Sequence, residues 1–153
     1  MAEEKFQTVT PHLVVDNGSA AIDFYRSALG AEVVARHDSP DGKKVMHAHL
    51  KVLGMSVMLS DDFPEYNNGK AKSPKALGGS PVTLHLHVDD ADALWAKAVG
   101  KGAKVTMPLA DQFWGDYYGK LEDPFGHEWS VGQTKKIMSP EEIATASKQQ
   151  FKM

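Results

Sequence analysis

The segment Val88-Asp89-Asp90-Ala91-Asp92-Ala93-Leu94-Trp95-Ala96-Lys97-Ala98-Val99-Gly100-Lys101-Gly102-Ala103-Lys104-Val105 has a counterpart in the first half of the chain. There, Val15-Asp16 is followed after thirteen residues by Gly30-Ala31-Glu32-Val33; here, Val88-Asp89 is followed after twelve by Gly102-Ala103-Lys104-Val105. Strand, Val-Asp, helix, Gly-Ala-x-Val, strand therefore occurs twice. The intervening residues read as helices: Ile22, Tyr25 and Leu29 fall three and four apart, with Phe24 widening the stripe, and Gly30 and Gly102 are placed to stop the two helices.

Working outward, Thr8 to Asp16 is rich in β-branched residues and reads as a first strand. Helix Ala20 to Leu29 follows, then a strand Ala31 to His37, a turn at Pro40-Asp41-Gly42, and strands Lys44 to Val52 and Met55 to Ser60. Asp61 to Ser80 is polar and punctuated by proline and glycine, which predicts a surface loop. The second half repeats the order with strand Val82 to Val88, helix Ala91 to Lys101 and strand Ala103 to Met107, then a hairpin of Tyr117 to Glu122 and Glu128 to Gly132. Ser139-Pro140-Glu141-Glu142 is a capping box that opens a terminal helix. The expected organisation is α+β: a first βαβββ module over 1–64, a linker loop over 65–80, a second βαβββ module over 81–134 and a helical tail over 135–153. Each unit is too small for a good core of its own, so the two are expected to pair side by side, with helices on one face of a joined sheet.

Composition narrows the functional classes. The 153 residues are 42% hydrophobic and 24% charged with a net charge of -3, which suits a globular core and gives no basic field for nucleic acid or an anionic membrane. There is no cysteine, so thiolate catalysis and cysteine-ligated metal are excluded. The start Met1-Ala2-Glu3-Glu4-Lys5 lacks the pattern of a secretory signal, and no apolar run is long enough to span a bilayer, so a cytoplasmic location is expected.

Several of these segments resemble the vicinal-oxygen-chelate (glyoxalase and bleomycin-resistance) superfamily, and its PhnB-like branch most closely. They are Thr10-Pro11-His12-Leu13-Val14-Val15, Ala21-Ile22-Asp23-Phe24-Tyr25 with Ala28-Leu29-Gly30-Ala31, and Leu84-His85-Leu86-His87-Val88-Asp89. The most specific is Trp114-Gly115-Asp116-Tyr117-Tyr118-Gly119 running into Asp123-Pro124-Phe125-Gly126-His127-Glu128-Trp129-Ser130. The resemblance implies two βαβββ modules whose mixed sheet curls into a cup around a small-molecule site, with helices outside and a homodimer as the common assembly. Fold does not fix function there, because members include lyases, dioxygenases and antibiotic-sequestering proteins.

Metal-dependent members place His, Gln or Glu at four inward positions. Aligned on the motifs, those positions fall at Thr10, Met58, Thr83 and Ser130, and hydroxyls and a thioether are poor ligands for a hard or borderline divalent ion. No cofactor is therefore expected at the usual place. Strand alternation nevertheless puts His12 on the face of Thr10, His85 and His87 on that of Thr83, and Glu128 on that of Ser130. These four form an alternative, displaced set for a divalent metal such as zinc or nickel, and His47 and His49 make a second His-x-His. The plainer reading is that they line a wet cavity. Trp114 and Tyr118 are candidate stacking partners for a ligand, Trp129 is expected beneath the sheet, and Glu128 with His12 is a candidate acid–base pair.

Two functional classes remain. One is a small-molecule-binding protein without the usual metal, its ligand touched by His12, His85, His87, Trp114, Tyr118, Thr10, Thr83 and Ser130. The other is a metal-dependent glyoxalase-type lyase or isomerase using the displaced histidines. Whether any reaction is catalysed stays open between them.

Overall fold

The structure is a computed structural model that describes residues 7–151; the first six residues of the expected first module and the last two of the tail lie outside it. The first half runs β1 (His12–Val15), α1 (Gly18–Leu29), β2 (Glu32–Asp38), β3 (Val45–Val52) and β4 (Met55–Asp61). After a 3-10 turn (Pro64–Tyr66) and the one-turn helix α2 (Pro74–Leu77), the second half runs β5 (Thr83–His87), α3 (Ala91–Gly100), β6 (Lys104–Asp111), β7 (Asp116–Glu122) and β8 (Glu128–Thr134). Helix α4 (Pro140–Phe151) closes the chain. Both halves are βαβββ units with the same order, β1-β4-β3-β2 and β5-β8-β7-β6, in which the first strand is parallel to its neighbour and the other pairs are antiparallel.

Three expectations need correction. The two sheets are not hydrogen-bonded to each other, so there are two four-stranded mixed sheets rather than one continuous sheet. The first strand is only four residues long: Pro11 has no N–H to donate, and Thr10 turns its hydroxyl back to the Gln7 carbonyl at 2.9 Å. The linker is also not wholly loop, because Ser73 caps α2 by accepting from the Ala76 N–H at 3.3 Å.

The halves repeat each other in detail. Asn17 caps α1 and Asp90 caps α3, each side chain accepting from an N–H three residues on at 3.1 Å. Gly30 ends α1 at φ 67°, a left-handed conformation that a side chain would disfavour. A polar side chain on the central strand also meets each helix start: Asp61 accepts from the Gly18 N–H at 2.9 Å, and Gln133 accepts from the Ala91 N–H at 2.9 Å.

One apolar side of each sheet and both helices feed a single core. Helices α1 and α3 pack on one another. Leu13, Val15, Leu50 and Leu59 from the first sheet join Leu86, Leu121, Trp129 and Val131 from the second. Where the halves meet, Tyr25 of α1 sits against Trp129 (ring centroids 5.6 Å apart) and Phe125 (6.2 Å). The Tyr25 hydroxyl donates to Asp123 Oδ2 at 2.5 Å, and Trp129 Nε1 donates to the same oxygen at 2.8 Å. Asp123 Oδ1 accepts the Phe125 and His127 N–H groups at 2.9 and 3.0 Å. Burial, with the Asp123 carboxylate beside it, holds the Tyr25 hydroxyl well above the ordinary tyrosine range, so it stays a donor.

Hydrogen bonds to a charged acceptor contribute about 1.5–3 kcal/mol net. Tyr25→Phe should therefore lower unfolding free energy by about 2 kcal/mol in urea titration. Asp123→Ala, which strands several buried donors, should cost more than Tyr25→Phe; an equal or smaller loss would show that the carboxylate is not the keystone.

Candidate functional site

Each sheet turns its second face away from the helices, and the register fixes what lies there. On the second sheet the rows are Thr83–Glu128–Glu122, His85–Ser130–Lys120 and His87–Gly132–Tyr118, with Thr134 opposite Asp116 beyond them. Register and alternation thus gather His85, His87, Thr83, Ser130 and Glu128 on one face, with Tyr118 joining them through its pairing with Gly132. His12 lies on the corresponding face of the first sheet, paired across to Met58, which in turn pairs with His49. His47 and His37 form a further row there, with ring centroids 6.4 Å apart. His37 was not anticipated, because a lone histidine in an alternating strand carries no signal.

On the second sheet the imidazoles are wired end to end. His85 Nδ1 lies 2.7 Å from Ser130 Oγ, His85 Nε2 lies 3.1 Å from His87 Nδ1, and His87 Nε2 lies 2.8 Å from Thr134 Oγ1. Both rings rest on the backbone of Gly132, where a Cβ would stand 2.8 Å from His85 Cε1 and 3.2 Å from His87 Nδ1. Tyr118 stacks on His85 at 5.7 Å, and Trp114 meets Tyr118 edge-on at 5.4 Å. Trp114 Nε1 donates to Asp116 Oδ2 at 3.0 Å. Trp129 is buried on the opposite, core side, as expected.

The carried-over metal positions have other work. Thr10 bonds to the Gln7 carbonyl, Thr83 donates to the Glu128 carboxylate, Ser130 contacts His85, and Met58 offers only a thioether. This donor set does not suit the divalent ion of metal-dependent members. Glu128 is held by Thr83 and by the Lys120 ammonium at 3.6 Å. His12 Nε2 lies 3.1 Å from Ser60 Oγ, and its ring centroid is 6.3 Å from that of His47. Among the described residues no three His, Asp or Glu side chains form a metal-holding group.

A cleft of ≈ 260 Å³ lies between the halves. The first half contributes Pro11 and the β3–β4 turn with Leu53 and Met55, and the second contributes Leu84, His85 and His87. Leu53 sits at φ 50° in that turn, where glycine or asparagine is the easier residue. Sequence reasoning missed this wall, because nothing local says that the β3–β4 turn meets β5.

The glyoxalase/bleomycin resistance protein/dioxygenase superfamily model matches residues 5–131, and the chain belongs to that superfamily. An uncharacterised protein of Mycobacterium tuberculosis is 48% identical over 93% of this chain and 83% of its own length. The solved structure of an Arabidopsis thaliana gene product is 32% identical, with a TM-score of 0.64 over 83% of this chain and 98% of that one. A PhnB protein from Bacillus cereus, named as a putative 3-demethylubiquinone-9 3-methyltransferase, shares the fold at 20% identity, with a TM-score of 0.64 over 84% of this chain and 100% of that one.

Desolvation lowers the pKa of both His12 and His85, with the neighbouring His47 and His87 adding to it; Lys72 lowers His12 further, while Asp116 pulls His85 the other way. As pH falls, the unfolded chain takes up these protons first. Their contribution to stability is therefore complete above about 6.5 and declines below it until the folded rings protonate. Thermal midpoints measured between pH 7.5 and 5.5 should fall less in His85→Gln than in the parent protein; parallel slopes would show that His85 is not one of the groups responsible.

Proposed function

We propose that this chain is a small-molecule-binding protein that takes its ligand in the cleft between the two halves, without the metal used by metal-dependent members of its superfamily. The observation that carries the reading is the cleft's construction. Two imidazoles stand at one wall and apolar residues from both halves make most of the rest, with Gln7 and Ser56 among them, a composition usual for small-ligand sites. At ≈ 260 Å³ the cleft suits a compact molecule rather than a drug-sized one. Tyr118 and Trp114 back His85 and fix its plane, so their effect on the ligand runs through that ring. Leu53 supports the reading independently. A leucine in the left-handed region costs about 1–2 kcal/mol, and its side chain lines the cleft. Strain of this kind is retained where the surroundings or a ligand reward it. A homodimer, common in the superfamily, is part of the proposal; the cytoplasm is the proposed location.

A fragment screen by thermal shift, followed by calorimetry, tests the reading. Hits should lose about tenfold in affinity in His85→Ala and in Leu53→Asp, while Thr10→Ala stays within a few-fold. Hits indifferent to both cleft changes would move the site elsewhere. Leu53→Asn separates strain from binding: relief of the left-handed leucine should raise unfolding free energy by about 1 kcal/mol, while ligand affinity drops.

A further inference from the structure

We infer that the His85–His87 pair is a binding site for a borderline divalent cation of the zinc, nickel or cobalt kind, displaced from the positions used by the superfamily. The inference is independent of whether the cleft holds an organic ligand. It starts from the two inner nitrogens. His85 Nε2 and His87 Nδ1 converge to 3.1 Å. Metal–imidazole bonds of about 2.0–2.1 Å at a tetrahedral angle place two ligand nitrogens about 3.3 Å apart. The pair is within a few tenths of an ångström of that spacing before any cation arrives.

The outer nitrogens complete the case. For both inner nitrogens to offer lone pairs, His85 must carry its proton on Nδ1 and His87 on Nε2. Each of those atoms already has a hydroxyl oxygen able to accept it, Ser130 Oγ at 2.7 Å and Thr134 Oγ1 at 2.8 Å. Metal-ligating histidines characteristically donate their second N–H in this way, which fixes tautomer and ring plane. Without a cation that tautomer sets two lone pairs against each other, and the pair relieves this only by placing a proton between them. A cation at the same point removes the repulsion. Gly132 supplies the floor on which the two rings can lie side by side, Tyr118 holds the plane of His85, and the Asp116 carboxylate sets a negative charge beside His85. Both histidines are exposed, so a hydrated ion reaches them without the chain opening. Among the described residues no third histidine or carboxylate completes a three-ligand group, which leaves the remaining coordination positions to water.

The test is a cobalt titration of tag-free, full-length protein near pH 7.5, read by the visible absorption of the bound ion and by competition with zinc. The expected result is one site with imidazole-type bands. These should be lost in His85→Ala and separately in His87→Ala, and the site should weaken about tenfold in Ser130→Ala and Thr134→Ala. His12→Ala should leave it unchanged. Circular dichroism of each variant identifies any that fail to fold, and the wild-type titration stands without them. Absence of a cobalt spectrum in folded wild-type protein at millimolar ion overturns the inference, as does a spectrum that survives both histidine substitutions. A shared proton as the pair's only occupant would give the first of these outcomes. Since the readout is the ion itself, failure here leaves the organic-ligand reading untouched, and failure of the fragment screen leaves the cobalt result standing.

Discussion

A single buried carboxylate organises this protein. Asp123 closes its own turn by accepting two backbone N–H groups, and it holds the Trp129 indole from within the second sheet. It then reaches across the core to the Tyr25 hydroxyl of the first half. A charge at that depth is tolerable only because all of these donors meet it. The consequence is positional. Trp129 cannot shift without breaking that bond, and Trp129 sits between Glu128 and Ser130, the residues that present the second sheet's polar face. The alignment of His85 with Ser130 thus traces back to a contact on the far side of the sheet.

Much of this architecture is legible in the sequence because the chain says it twice. The Val-Asp and Gly-Ala-x-Val pairs mark where each helix begins and ends, and strand alternation then assigns faces with no further information. Errors cluster where tertiary contacts decide. Thr8 to Thr10 have strand-forming side chains, yet Pro11 gives β1 no donor and the observed strand starts after it. The linker's serine, proline and glycine content reads as loop, although Ser73 and Pro74 are also a good helix start, and one turn forms.

The site divides in the same way. Spacing alone puts Thr83, His85 and His87 on one face of their strand and Glu128 with Ser130 on one face of theirs; the register sets these on adjacent rungs and adds Tyr118. His12 was assigned to the same kind of face correctly but belongs to the other sheet. Thr134, Gly132 and Leu53 carry no chemical signature in a sequence. Their importance comes from hydrogen-bond distance, from the lack of a Cβ and from backbone conformation, respectively. A search for His-x-His on a strand finds the imidazoles; only the folded structure brings the Ser130 and Thr134 hydroxyls within hydrogen-bond distance of their outer nitrogens.

The two related hairpin turns have diverged in what they hold. The β7–β8 turn is tied to the first half twice, through Asp123 and Tyr25 and through His127 Nε2, which donates to the Val14 carbonyl at 2.9 Å. The β3–β4 turn borders the cleft with Leu53, and among the described residues no hydrogen bond ties it to the second half. The seam between the halves is therefore unequal along its length: hydrogen bonds fasten it at the polar β7–β8 turn, whereas at the β3–β4 turn apolar Leu53 and Met55 border an open cleft.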